Sequence, residues 1–475
     1  MNTDRIFDYF EQISSIPRGS GHMEQISAYC LDFAKAHNLK AVRDEANNVI
    51  IYKPASEDST NQEPVILQGH LDMVCQKEET CDIDFLTDGI QTYIDGDYIK
   101  AKGTTLGADN GIAVAMILAI LESDDIKHPP IEAVLTTDEE IGMLGANALS
   151  AEHLSAKKMI NLDAGKPEFL TVSCAGGMRI TMHDSYTSEQ VKGQKIHIVL
   201  HGLLGGHSGV EIHKGRVNAN NLAGRILNHL YKKMPFSLVS IHGGDKDNVI
   251  TNYCEIELIT QNEELLVKEL NDCLAEIKQE IIEREPDFES IVEVKEKGEF
   301  AVLPDSNVQK LIAALVCAPS SVLEMSASIA GLVETSINLG IVKAKSDACD
   351  LTFAMRSNKD SALLALNERM ETFAKTLGFC SDSSGYYPPW EYNDKSTLQS
   401  MYVQAYKNIF GKEPIITAIH AGLECGMFAA KIKDLDCIAF GPETIDVHSV
   451  SERLSISSTK ECYALLLDVL SNCSK

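Results

Sequence analysis

The residues best suited to chemistry are acids and histidines that follow short apolar runs. VILQGHLD sets His70 and Asp72 just after a buried-strand pattern. IEAVLTTDEE puts Asp138, Glu139 and Glu140 after a second run, and MINLD ends a third in Asp163. CIAFGP, beginning at Cys437, leads on to His448. Asp109, in LGADNG, stands at the mouth of the ten-residue apolar run Ile112–Leu121. In open parallel α/β sheets, ligands bind at the carboxyl ends of the strands. Four strands would therefore deliver His and carboxylate to one edge.

Each motif has a plainer reading on its own. A histidine and aspartate after a strand are usually loop polarity, consecutive acids are usually a solvated turn, and Asp109 also suits a helix cap. Together they point elsewhere, because packing has no reason to put acids after so many core strands. Crowded without cations, Asp72, Asp109, Glu139, Glu140 and Asp163 would repel one another and resist ionisation. Histidine nitrogens with several carboxylates form a donor set for zinc, with cobalt or manganese as substitutes. The acids outnumber the needs of one tetrahedral ion, so a metal pair sharing a carboxylate fits better.

GHLDMV, TTLGADNG, TTDEEIGMLGA, NLDA and the late His448 occur in the order of the zinc aminoacylase/carboxypeptidase-G metallopeptidase family. GLLGGHSGVEIHKG, HAGLECG and GPETIDVHS resemble more closely its bacterial aminoacyl-histidine dipeptidases, and the likeness runs from the first helix to the last. The resemblance implies a dinuclear site with two Zn2+ per chain. His70 and Asp163 would bind one ion, Glu140 and His448 the other, and Asp109 would bridge them. Asp72 would hold the His70 ring, and Glu139 would be the general base. His207, in GGHSG, matches a histidine that donates to the oxyanion. Arg356 matches an arginine that grips the substrate's C-terminal carboxylate. Asn248 and the backbone at Gly422 match further substrate contacts. The implied activity is hydrolysis of unblocked dipeptides, Xaa-His among them, by a homodimer whose histidine could serve its own or the partner's site. Two departures bear on substrate preference: AGKP after Asp163 in place of further acids, and VITN after Asn248. An N-acyl amino acid deacylase or carboxypeptidase of the same family is the rival activity. A non-catalytic metal-binding relative is a third reading, opposed by the retention of Glu139 and all five ligands. HExxH and GxSxG do not occur.

The elements that must position these groups come in two textures. The first ~180 residues alternate apolar strands with helical stretches, as in a parallel sheet covered by helices on both faces. From about Lys192 the order becomes βαββαβ, and a similar order follows, so an inserted α+β lid of two ferredoxin-like halves is expected. At YYPPW, from Tyr386 to Trp390, the αβ texture returns. The expected division is 1–186 and 386–475 for a discontinuous catalytic domain, with 187–385 as lid. The metal set and Glu139 then lie in one domain and His207 and Arg356 in the other, so catalysis is expected to need closure.

Charge excludes some partners. Lys+Arg 42 against Asp+Glu 69 gives a net charge of −27, which repels phosphate backbones and anionic lipid, so neither nucleic acid nor membrane is expected. The N-terminus reads as an amphipathic helix from Thr3, not a signal peptide. Thirteen cysteines without a CxxC pair, including Cys317 and Cys437 in apolar runs, read as buried free thiols of a cytoplasmic protein.

Overall fold

The computed structural model describes residues 3–475. The chain forms two compact units: Met1–Cys174 with Trp390–Ala418 and Leu423–Lys475, and Ala175–Pro389 with Ile419–Gly422.

The first unit holds an eight-stranded open sheet. Its centre is four parallel strands in the order Ile131–Thr136, Val65–His70, Lys158–Asn161 and Asp436–Ala439. Strands Val65–His70 and Ile131–Thr136 are buried at every residue, as their unbroken apolar runs require. The flanks are antiparallel: Val49–Lys53 pairs with Ile131–Thr136, and Phe169–Cys174 meets Asp436–Ala439. The sheet is thus mixed, with its parallel part where the chemistry was expected. Helix Ala108–Glu122 packs on Val65–His70. Residues from Ile112 to Leu121 are at most 5% exposed, which explains an apolar character on all sides of that helix. Its start is irregular: Asp109 and Asn110 have non-helical backbone angles and are joined by a cis peptide.

The second unit holds one nine-stranded antiparallel sheet built of two ferredoxin-like halves. One half runs Glu189–His201, helix Ala219–Lys233, Ser237–Gly243, Cys254–Thr260, helix Glu263–Ile281 and Glu289–Val302. Its strands lie in the sheet order fourth, first, third, second. The other half has the same order from Gly176–Ser185, helix Asp305–Cys317, Val333–Ala344, Ala348–Ser357, helix Asp360–Leu377 and Cys380–Tyr387. The halves join where Ile241 faces Ala344, over one core in which Ile180, Ile198, Leu227, Leu258, Leu339 and Phe353 are all 0% exposed.

The halves are therefore nested, whereas the sequence suggested that one follows the other. Gly176–Ser185, read by sequence as part of the first domain, is hydrogen-bonded along its whole length to Ala348–Ser357 and belongs with the second unit. Only Ile180 and Met182 of its inward positions carry large apolar side chains buried to 0%, too few to mark a strand. Every cysteine is free; Cys437 is buried as expected, but Cys317 is exposed, at the last turn of its helix. Among the described residues no helix is long and apolar enough to cross a membrane.

Candidate active site

The parallel centre of the first unit brings the acids and histidines together. His70 ends its strand in register with Thr136, and Gln68 pairs with Asn161. The chain then releases Asp138–Glu140 and Asp163 beyond neighbouring strand ends. His448 arrives differently. It sits at the tip of a hairpin whose arms, Thr444–Ile445 and Arg453–Ser455, belong to a separate four-stranded sheet. Its φ of 63° suits a tight turn, not a strand end.

Asp109 is central. Its Oδ1 lies 3.2 Å from His70 Nε2 and its Oδ2 lies 3.4 Å from His448 Nε2. Asp163 Oδ1 is 3.8 Å from the same His70 nitrogen, and Glu140 Oε1 is 2.9 Å from His448 Nε2. One carboxylate thus stands between two imidazoles, each with a second acid beside it. Asn110 braces this core: its amide donates to Asp163 Oδ1 (3.1 Å) and to the Leu162 carbonyl (2.9 Å), while its Oδ1 accepts from the His70 N–H (3.2 Å).

Asp72 is fully buried. It accepts main-chain N–H bonds from Glu139 (3.0 Å) and Glu140 (3.2 Å) and a hydroxyl bond from Ser20 (2.8 Å), and it lies 3.3 Å from His70 Nδ1. The same carboxylate orients the ring and fixes both adjacent glutamates.

Electrostatics show a site crowded with acids. Burial, reinforced by Glu424, Glu140 and Asp109, pushes Glu139 up to about 8 against the pull of His70. Burial likewise raises Asp163, aided by Asp109 and Glu139. Burial disfavours charge on His70, but Asp163, Asp109 and Asp72 outweigh it and raise its pKa. Hydrogen bonds to Asp109 and Glu140 lift His448 to about 10. Burial also opposes ionisation of Asp109, yet its bonds to His448 and His70 hold it well below the usual carboxylate range. Cations held among these acids would relieve their mutual repulsion.

Behind the site lies Glu424, which the sequence left without a role. It is 0% exposed, accepts from Thr136 Oγ1 (2.7 Å) and Gln68 Nε2 (2.5 Å), and is pushed up to about 7 by burial.

The remaining candidates lie in the second unit. His207 Nδ1 accepts main-chain N–H bonds from Gly209 and Val210, both 3.1 Å. Its proton must therefore sit on Nε2, and burial together with Arg356 lowers its pKa and keeps it neutral. Arg356, 9% exposed, donates from Nη1 to Tyr387 (2.7 Å), while its buried Nε has no partner. A Cβ at Gly209 would come within 2.8 Å of the His207 ring and 3.1 Å of Arg356 Nε, so the absent side chain lets the two approach. Asn248 is adjacent, its carbonyl accepting from Ser208 N–H at 2.9 Å. Gly422 follows His420, whose ring is fixed by Ser336 Oγ (2.7 Å) and Asn358 Oδ1 (3.2 Å). Burial and the Arg356 charge push His420 down to about 3, so it is a neutral brace for the loop.

Residues 66–472 match the model of peptidase family M20/M25/M40. The chain belongs to this M20 peptidase family. It is 34% identical over 469 residues to the cytosol non-specific dipeptidase of Escherichia coli (strain K12), covering 98% of this chain and 96% of that one. Its fold matches the aminoacylhistidine dipeptidase of Vibrio alginolyticus with a TM-score of 0.92 at 35% identity, over 99% and 97% of the two chains. Aminopeptidase PepT of Bacillus cereus shares the fold alone, with a TM-score of 0.57 and 16% identity over 100% of both chains. The chain is accordingly a metal-dependent hydrolase of the M20 type.

The residues present fit such a metal. Ligand atoms of His70, Asp109 and Glu140 lie within 4.8 Å of one another, and their nitrogen and oxygen donors are those zinc accepts. A carboxylate with one oxygen toward each imidazole is the donor a metal pair would share.

Proposed function

We propose that this M20 peptidase is a cytoplasmic, two-zinc dipeptidase that hydrolyses unblocked dipeptides, Xaa-His among them. The observation carrying this reading is the Asp109 carboxylate between His70 and His448. His70 and Asp163 would hold one ion, Glu140 and His448 the other, with Asp109 shared. When bound, the ions supply Lewis acidity to the scissile carbonyl and acidify a water.

The chain's own groups do the rest. Glu139, fixed at its main chain by Asp72, takes the proton of the attacking water and returns it to the departing amine, the work of a general base then acid. Its neighbour Glu140 faces His448 instead, so the two adjacent acids divide ligation from proton transfer. His207 offers an Nε2–H donor to the oxyanion, because its Nδ1 is committed as an acceptor. The Arg356 fork, with one buried N–H lacking a partner, suits the free carboxylate of a dipeptide. Asn248 and the Gly422 backbone complete the substrate contacts in this reading.

The two dipeptidase relatives support a dipeptide over an N-acylated amino acid; the homodimer is kept in this proposal as what the sequence resemblance implies. A panel of free dipeptides, Xaa-His included, and N-acetyl amino acids, each with and without added zinc, tests the assignment. Zinc-dependent cleavage of the dipeptides is expected; preference for the acetylated compounds would replace it with a deacylase.

A further inference from the structure

Two buried charged residues outside the metal-binding set converge on the turn that carries Asp109. Glu452 is 2% exposed and Arg18 is 1% exposed. Glu452 Oε2 accepts from the N–H groups of Leu106 (2.7 Å) and Gly107 (2.9 Å), and Oε1 from those of Ala108 (2.8 Å) and Asp109 (3.3 Å). Arg18 donates from Nη2 to the Gly107 carbonyl (2.5 Å) and from Nη1 to the carbonyls of Leu71 (3.1 Å) and Asp72 (3.3 Å). The Gly107–Ala108 peptide is thus gripped from both sides, its N–H (that of Ala108) by Glu452 and its C=O (that of Gly107) by the Arg18 guanidinium.

Their places in the chain matter. Glu452 lies on the hairpin that carries His448, so its side chain ties that hairpin to the Asp109 turn. Arg18 ties the same turn to the segment just after His70. Three chain segments, bearing His70, Asp109 and His448, are joined through one peptide unit. The fit around Arg18 is close: a Cβ at Gly107 or Gly111 would lie 2.5 or 2.6 Å from its Nη2. Gly107 also has φ 67°, a conformation that favours glycine.

We infer that Arg18 and Glu452 are positioning residues that hold the Asp109 carboxylate between His70 and His448 and so set the affinity for the metal pair. This rests on the two-metal reading above. A helix cap alone would stabilise the fold without tuning the metals; groups that orient ligands typically govern 10–100-fold of metal affinity.

The test is cobalt(II) titration of the full-length, metal-free protein at fixed pH, followed by visible absorption, beside the Tm of the metal-free form. Glu452→Gln keeps the shape but turns an amide N–H toward main-chain donors. Arg18→Lys keeps the charge but loses the fork and is an independent second arm. The control is Glu132→Gln, since Glu132 also accepts main-chain N–H bonds, from Ser155 (3.0 Å) and Ala156 (3.2 Å), at the far end of its strand. Expected is cobalt binding weakened by about 10–100-fold in the first two variants. The control should lower Tm and leave cobalt affinity at the wild-type value. Wild-type affinity in both Glu452→Gln and Arg18→Lys, or equal weakening in the control, overturns the inference. Should the wild-type protein take up one cobalt ion only, the two-metal reading falls separately, and the inference is judged by whether the two variants weaken that ion.

Discussion

Metal and protons compete for the same atoms in this site, and the competition has a countable outcome. In the metal-free protein His448 is raised to about 10 and His70 is also raised. His448 therefore carries an extra proton at pH 7, and the shift at His70 is in the same direction. Asp163 is raised as well, by burial and its acid neighbours. A ligand must lose its proton before it binds metal. Filling the site near neutrality should thus release about two protons from the histidines, and up to about three if Asp163 contributes. The logarithm of the overall binding constant should rise by the same number per pH unit, about two to three between pH 6.5 and 8. Calorimetric zinc titration in buffers of different ionisation enthalpy counts these protons directly, and His448→Ala should remove about one. The metal-free fold should show the opposite trend. A raised folded-state pKa means the folded form binds more protons, so stability falls as pH rises. For His448 that contribution is complete below its ordinary value of 6.5 and is lost on passing through about 10; for Glu139 the window runs from 4.5 to about 8. A proton count near zero, or an affinity indifferent to pH from 6 to 8, would refute the assignment of these histidines as ligands.

Glu139→Gln should cut kcat by at least about 10²–10⁴-fold while metal content by elemental analysis stays near two ions. Glu140→Ala should instead lower occupancy of one ion, and a reversal of these two results would reverse the assignment. Arg356→Ala should raise KM strongly for dipeptides, and amidating the substrate's C-terminus should mimic it. The two changes combined should be less than additive, so full additivity would show that Arg356 serves another contact. His207→Ala should reduce kcat by about 10²–10³-fold with metal content unchanged, as loss of an oxyanion donor does. Mixing it with Glu139→Ala chains asks whether the histidine acts across a homodimer, since only exchange between subunits would restore activity.

What the sequence disclosed about this site, and what it hid, follows from how each residue is fixed. His70, Asp109, Glu140 and Asp163 were legible because each follows or precedes an apolar run, so a polar donor there contradicts ordinary packing. The parallel strand centre was legible for the same reason, as unbroken apolar runs. Strand Gly176–Ser185 was hidden because only its pairing with Ala348–Ser357 and Cys380–Tyr387 makes it a strand. The hairpin beneath His448 was hidden because its arms are two and three residues long. Arg18, Glu424 and Glu452 were hidden more deeply. Arg18 and Glu452 are single charged residues outside every motif, Glu424 stands in HAGLECG without a role the motif assigns, and each is buried only by contacts with distant segments. Arg18 nevertheless leaves a trace. The helix following Asp109 is walled by isoleucine, valine, methionine and leucine, yet Gly107 and Gly111 stand at its start. Gly111, inside the helix, costs it stability, whereas Gly107 caps the helix with a backbone that favours glycine. An unfilled gap in a core would cost more, so the two glycines leave room for a bulky group from elsewhere in the chain, and the guanidinium of Arg18 is that group.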